Sequence, residues 1–188
     1  MISAILLAAG ESKRMGGENK LLKKINGIPL IIHTVKNILS TSISELIIVI
    51  GYQEKMMRDT INKDSKIKFV YNKDFKAGMS SSIKMGLKYI SKKNNFFFIC
   101  LGDMPMVDQN IYNEIIKHKN SNKIIVPTYN GRQGNPVLFS IVMKNKLMSI
   151  NGDLGAKKIL ETNKEKIFNL EINNDAVVQD FDLKEKFN

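Results

Sequence analysis

The chain has 188 residues, enough for one ordinary domain whose core needs neither disulfides nor a structural metal. Its 43% hydrophobic and 25% charged residues are typical of a globular protein, and no apolar run reaches the ~18 residues of a membrane span. A single cysteine, Cys100, excludes an internal disulfide or a cysteine-based zinc site.

The net charge of +11 comes from 29 Lys and Arg against 18 Asp and Glu. Of those cations 26 are lysines, scattered from Lys13 to Lys186, which predicts a solvated basic surface rather than a nucleic-acid stripe. Arginine is scarce. Two of its three positions, Arg14 and Arg132, fall in glycine-bearing segments, where a planar guanidinium suits a phosphate. Met1 to Leu7 carries no basic leader or cleavage pattern, so a cytoplasmic location is expected.

In chain order, Ile2 to Ala9 is a continuous apolar run, as in a strand buried on both faces. Pro29 with residues 30–39 suits a helix with proline in its first turn. ELIIVI, Glu45 to Ile50, is a second buried strand. Gln53 to Asn62 reads as a helix, Lys66 to Tyr71 as a strand and Ser80 to Ser91 as a helix. Phe96 to Leu101 is another buried strand. Asn110 to His118 is helical, and Lys123 to Pro127 is a strand. Between Tyr129 and Phe139, Asn130-Gly131 marks a hairpin turn. Ile141 to Met148 and Leu154 to Glu161 read as short helices, with Ile167 to Ile172 and Ala176 to Gln179 as the last strands.

Strands alternating with helices of this length predict βαβ units. The expected fold is a three-layer α/β/α sandwich on a mostly parallel, doubly wound, Rossmann-like sheet. One domain over 1–188 is expected, in halves of about 1–105 and 106–188. Ligands of such sheets bind beyond the carboxyl ends of the strands, and glycine-rich breaks follow Ala9, Ile50 and Leu101.

The first break, LAAGESKRMG followed by Lys20, joins small residues at Ala8, Ala9 and Gly10 to two cations, Arg14 and Lys20. Backbone amides there can reach phosphate oxygens, and the cations suit a polyphosphate leaving group. Neither the Walker spacing nor the dinucleotide fingerprint is present. Asp103, just past a buried strand, is placed for Mg²⁺, which prefers one or two carboxylates plus phosphate oxygens. The alternative is a turn cap before Pro105. Asp153 reads as a helix cap, Cys100 as inert core, and His33 and His118 lack any nucleophile partner. One of Ser80, Ser81 and Ser82 is expected to cap the helix they open. Met79 and Met104 are expected to flank the cleft.

LAAGESKRMG with its following lysine resembles the signature loop of the nucleotidyltransferases that include the molybdenum cofactor cytidylyl- and guanylyltransferases. GMSSS at 78–82, LGDMP at 101–105, GRQGNPV at 131–137 and GDLGA at 152–156 match in the same order, so the resemblance covers residues 2 to about 182. Ala8-Ala9-Gly10 is closest to the cytidylyl branch. The resemblance implies a nucleotide-diphospho-sugar-transferase-like fold with Ala8, Ala9, Gly10, Gly78 and Ser80 around the nucleotide. Arg14 and Lys20 would lie on the triphosphate and Asp103 on Mg²⁺. Asp182 or Asp180 would complete the metal site, and Arg132, Gly134, Asn135 and Pro136 would lie over the acceptor.

It implies transfer of CMP from CTP to the terminal phosphate of molybdopterin cofactor, with release of pyrophosphate. A passing contact with a molybdoenzyme or its chaperone would follow. GTP as donor, or a sugar or polyol phosphate as acceptor, is the alternative within the class. A basic nucleic-acid or partner-binding scaffold with a vestigial nucleotide site is the alternative outside it.

Overall fold

A computed structural model describes residues 1–12, 18–120, 123–152 and 155–181 of the chain. Its strands are β1 (Ile2–Ala8), β2 (Lys24–Ile25), β3 (Ile28–Pro29), β4 (Glu45–Ile50), β5 (Ile67–Tyr71) and β6 (Phe96–Leu101). They continue with β7 (Ile124–Tyr129), β8 (Arg132–Gln133), β9 (Val137–Ser140) and β10 (Ile167–Glu171). The α-helices are α1 (Leu30–Leu39), α2 (Glu54–Thr60), α3 (Met79–Lys88), α4 (Gln109–Lys117), α5 (Lys144–Met148) and α6 (Lys157–Thr162).

One eight-stranded sheet runs β10-β7-β9-β6-β1-β4-β5, with β8 paired to β7. β1 pairs in parallel with β4 and β6, β4 with β5, and β7 with β10; β9 joins β6 and β7 antiparallel, and β8 pairs antiparallel with β7. The α/β class and mostly parallel sheet are as the alternation of elements predicts. The central strand is apolar because both its faces are covered. Ile2, Ala4, Leu6 and Ala8 join one core with residues of α1, α2 and α4, while Ile5 joins the other with residues of α3, α5 and α6. Gly86 allows α3 to approach β1: a Cβ there would lie 2.4 Å from Ile5 Cγ2.

Register brings the carboxyl ends level. Ala8 pairs with Ile50, Leu7 with Leu101, and Ile50 with Tyr71. Gly10, Gly51 and Gly102 therefore emerge along one edge of the sheet, and the amino terminus of α3 lies over the same edge.

The second half departs from the sequence reading in two places and keeps its expected hairpin. Residues 175–177 form a 3-10 turn rather than a strand, because the Asn174 side chain accepts from Ala176 N and closes it. The expected helix at 141–148 opens as a 3-10 turn, with α5 starting only at Lys144. Asn130 and Gly131, both at positive φ, make the tight turn from β7 to β8. β9 then leaves that hairpin to insert between β6 and β7, where Phe139 stacks on Phe97 at 5.5 Å.

Candidate nucleotide-binding cleft

A cleft of about 570 Å³ opens where β1 and β6 end. It is walled by Ala8, Ala9, Gly10, Glu11 and Ser12 at and after the end of β1, by Lys20 and Leu21, by Phe75, Lys76, Gly78, Met79 and Ser82 before and within α3, and by Gly102, Asp103 and Asp180. Ala8 and Ala9 are buried. Gly10 differs from them: among the described residues, a methyl group on it would meet nothing within 4 Å. The protein's own packing does not demand glycine there, so the open backbone is available to a ligand.

Lys20 is held at two points of its backbone neighbourhood. Its amide donates to Ser12 Oγ at 3.1 Å, and the adjacent Asn19 Oδ1 accepts from Leu21 N at 3.1 Å, closing the 3-10 turn at residues 20–22. Ser12 sits at φ 50 to make this bond. From this turn Lys20 Nζ reaches Asp103 Oδ2 at 2.6 Å, with side-chain exposures of 14% and 18%. Asp103 is not a helix cap: that role belongs to Asp108, whose Oδ1 accepts from Ile111 N at the start of α4.

The wall formed by residues from Phe75 to Ser82 turns at Gly78. Its φ of 101° and ψ of 174° lie in a region open essentially to glycine alone, and it occupies the cap position of α3. No serine caps that helix, contrary to expectation. Ser81 Oγ instead donates toward the Gly78 and Asp74 carbonyls. Asp74 N donates to Asn72 Oδ1, which orients the amide so that Asn72 Nδ2 donates to Ser81 and Ser82 Oγ at 2.8 and 3.0 Å. Ser82 Oγ thus accepts from Asn72 at the cleft it lines. Ser80, predicted at the nucleotide, is buried outside the lining and donates its amide to Gly152 O.

Two carboxylates, Asp103 and Asp180, line the same cleft. Phe181 N donates to Asp103 O at 2.9 Å, tying the segment that carries Asp180 to the end of β6. No group of three or more His, Cys, Asp or Glu able to hold a metal occurs among the described residues. A carboxylate pair completed by phosphate oxygens is the donor set that Mg²⁺ favours, so the residues fit that ion.

Arg132, Gly134, Asn135 and Pro136 do not line the cleft. Arg132 is exposed on β8, and the amides of Gly134 and Asn135 donate to Pro127 O and Val177 O. Met104 is buried in the core and does not flank the cleft, whereas Met79 does. Arg14, Asp153 and Asp182 lie outside the described residues. Cys100 is buried, its thiol pushed up to about 12 by burial, and is inert core. His33 contacts Ile25 O and His118 contacts Glu114; neither reaches the cleft. Sequence reasoning missed Glu11, Ser12, Phe75, Lys76 and Ser82 as cleft residues, although the first two flank the glycine it singled out.

The sequence pattern of the MobA-like NTP transferase domain matches residues 4–167, which include the cleft-lining residues from Ala8 to Asp103. The chain belongs to that family. Among curated members and relatives, it is 30% identical to the molybdenum cofactor cytidylyltransferase of Escherichia coli over 139 residues, 74% of this chain and 70% of that one. It is 31% identical to a probable molybdenum cofactor guanylyltransferase of Thermococcus sibiricus over 128 residues, covering 66% and 60%. It is 24% identical to the bifunctional protein GlmU of Staphylococcus epidermidis over 143 residues, and spans only 31% of that protein's length. In fold, this MobA-like domain superposes on Rv0371c of Mycobacterium tuberculosis with a TM-score of 0.88 at 22% identity, covering 99% of this chain and 95% of that one. Among the described residues of the MobA-like chain, no helix is long and apolar enough to cross a membrane.

Proposed function

We propose that the chain is a Mg²⁺-dependent nucleotidyltransferase that moves CMP from CTP to the terminal phosphate of molybdopterin cofactor and releases pyrophosphate. The observation that carries the reading is the single cleft in which an open glycine backbone at 8–12, a lysine and two carboxylates meet at the strand ends. The 30% identity to a cytidylyltransferase supports CTP, and Rv0371c, of the same fold, has been solved in complex with manganese.

In this reading the amides of residues 8–12 and Lys20 Nζ donate to the triphosphate, Lys20 stabilising the departing pyrophosphate. Arg14, outside the described residues, joins Lys20 there. Gly78 and Ser82 face the base, and the Ser82 proton suits an acceptor atom on a pyrimidine ring. Asp103, with Asp180 or Asp182, would hold Mg²⁺, which neutralises charge on the phosphates. A phosphate oxygen of the acceptor bonds to the α-phosphorus as the bond to the bridging oxygen breaks, and pyrophosphate leaves with that electron pair. The attacking oxygen is already anionic, so the cleft needs no histidine base. Arg132 on the hairpin would grip the acceptor's phosphate, with Gly134, Asn135 and Pro136 shaping its surface.

The curated guanylyltransferase relative favours a second reading, with GTP as donor. Pyrophosphate release separates the two: with Mg²⁺ and molybdopterin cofactor, CTP should support turnover at least about tenfold better than GTP. Equal or reversed rates would overturn the cytidylyl assignment. Release with a sugar phosphate but not with the pterin would overturn the acceptor.

A further inference from the structure

The chain carries +11 overall, yet the described residues lining the cleft comprise two cations, Lys20 and Lys76, against three acids, Glu11, Asp103 and Asp180. The cations are engaged from within: Lys20 Nζ lies 2.6 Å from Asp103 Oδ2, and Lys76 Nζ lies 3.6 Å from Glu11 Oε1. Among the described residues, both cations of the cleft thus already face carboxylates of this chain before a nucleotide arrives.

We propose that the Lys20–Asp103 ion pair is an internal stand-in for both ligands, so that divalent cation and nucleotide bind with a coupling that runs through exchange of this pair. Lys20 holds the metal's place on Asp103, and Asp103 holds the phosphate's place on Lys20. The proposal rests on the nucleotide reading given above.

The geometry supports exchange over simple coexistence. Both side chains are mostly shielded from water, so neither charge can lose its partner cheaply. A metal that takes the carboxylate releases the ammonium to phosphate, and a phosphate that takes the ammonium releases the carboxylate to metal. Each ligand therefore does part of the other's work. By linkage, the factor by which Mg²⁺ tightens nucleotide binding must equal the factor by which nucleotide tightens Mg²⁺ binding. Lys20 is suited to the exchange because its backbone is pinned by Ser12 Oγ and by the turn that Asn19 closes, so only the side chain needs to swing.

Direct metal–phosphate contact alone would also couple the two ligands, so the test uses the partners separately. CTP affinity is measured by calorimetry in EDTA for wild type and Asp103→Asn, and Mn²⁺ affinity by electron paramagnetic resonance without nucleotide for wild type and Lys20→Met. Exchange predicts that Asp103→Asn tightens metal-free CTP binding by about tenfold, the worth of one charge-assisted hydrogen bond to phosphate. It predicts that Lys20→Met tightens nucleotide-free Mn²⁺ binding. The double variant, which removes both charges, serves as a folded control if either single variant melts early, and in it metal should enhance CTP binding less than in wild type, only the direct metal–phosphate contact being left.

Unchanged or weakened metal-free CTP binding in Asp103→Asn, or unchanged Mn²⁺ binding in Lys20→Met, would overturn the coupling while leaving the nucleotide site intact. If wild type with Mg²⁺ binds neither CTP nor GTP at millimolar concentration, the nucleotide reading itself fails.

Discussion

The two edges of the sheet are built from the same strands and solve opposite problems. At the amino edge, Asn94 Nδ2 donates to Ser3 Oγ at 2.7 Å and to Glu45 Oε1 at 2.9 Å, and its Oδ1 accepts from Ser44 Oγ. Glu45 Oε1 also accepts from Ser3 Oγ and from Ser91 N. This polar knot joins the starts of β1, β4 and β6 and saturates its carboxylate oxygen. At the carboxyl edge the same strands end in glycine, an open backbone and a mostly shielded ion pair, with a cleft between them. Satisfied hydrogen bonds hold a fold together, while groups left available to an incoming molecule let it act. Stability should therefore concentrate at one edge and ligand binding at the other.

The largest expected effect is on catalysis. Asp103→Asn should lower Mg²⁺-dependent turnover by at least about a hundredfold, the scale of losing a group that stabilises charge in the transition state. A retained near-wild-type rate would remove Asp103 from the reacting centre. At the opposite edge, Asn94→Ala should cost about 2–3 kcal/mol in urea unfolding, since it removes the donor to Ser3 Oγ and one of the three to Glu45 Oε1. The KM for nucleotide should not move in the fraction that remains folded. If that KM rose severalfold, the two edges would not be separable.

Two glycines sharpen the contrast. Gly86→Ala should destabilise by about 1–3 kcal/mol, because the added methyl has no room against Ile5, and should leave nucleotide affinity alone. Gly10→Ala should do the reverse: stability within about 0.5 kcal/mol of wild type and CTP affinity weakened about tenfold. Thermal melts and calorimetry on the same two proteins check both halves.

Those contrasts also show what was legible in the sequence. The cleft's position was, because buried strands of β-branched and aromatic residues that stop at glycine announce their carboxyl ends, and Lys20 and Asp103 stand just past two of them. Their pairing was not. It joins positions 83 apart and depends on β1 and β6 being neighbours in register, which no local pattern encodes. Lys76 and Phe75 were missed for a related reason: they sit on a 3-10 turn with no periodicity, brought to the cleft by the chain's return from β5 to α3. Ala176 to Gln179 was misread because an apolar run of that length looks alike in a strand and in a turn packed on the core; Asn174 decided the matter.

The smallest effect belongs to the far end of the same carboxyl edge. Hydrogen bonds from Thr128 Oγ1, the chief cause, and from the Asn130 and Gly131 amides hold the Glu171 carboxyl below its ordinary value. A depressed folded value means the contribution is fully present above the ordinary carboxylate range and is lost as pH falls through the folded one. The hairpin carrying Arg132 should loosen only under acid, seen as faster exchange of the Asn130 amide with the sheet core still protected. Exchange at that amide independent of pH, after correction for the intrinsic rate, would detach Glu171 from the hairpin.

Hydrogen exchange with and without CTP and Mg²⁺ tests the division between the edges most directly. Protection should rise at residues 8–12, 18–21, 78–82 and 102–103 and stay unchanged around Ser3, Glu45 and Asn94. Protection confined to another face, or spread equally over both edges, would contradict the assignment of the carboxyl edge as the nucleotide site.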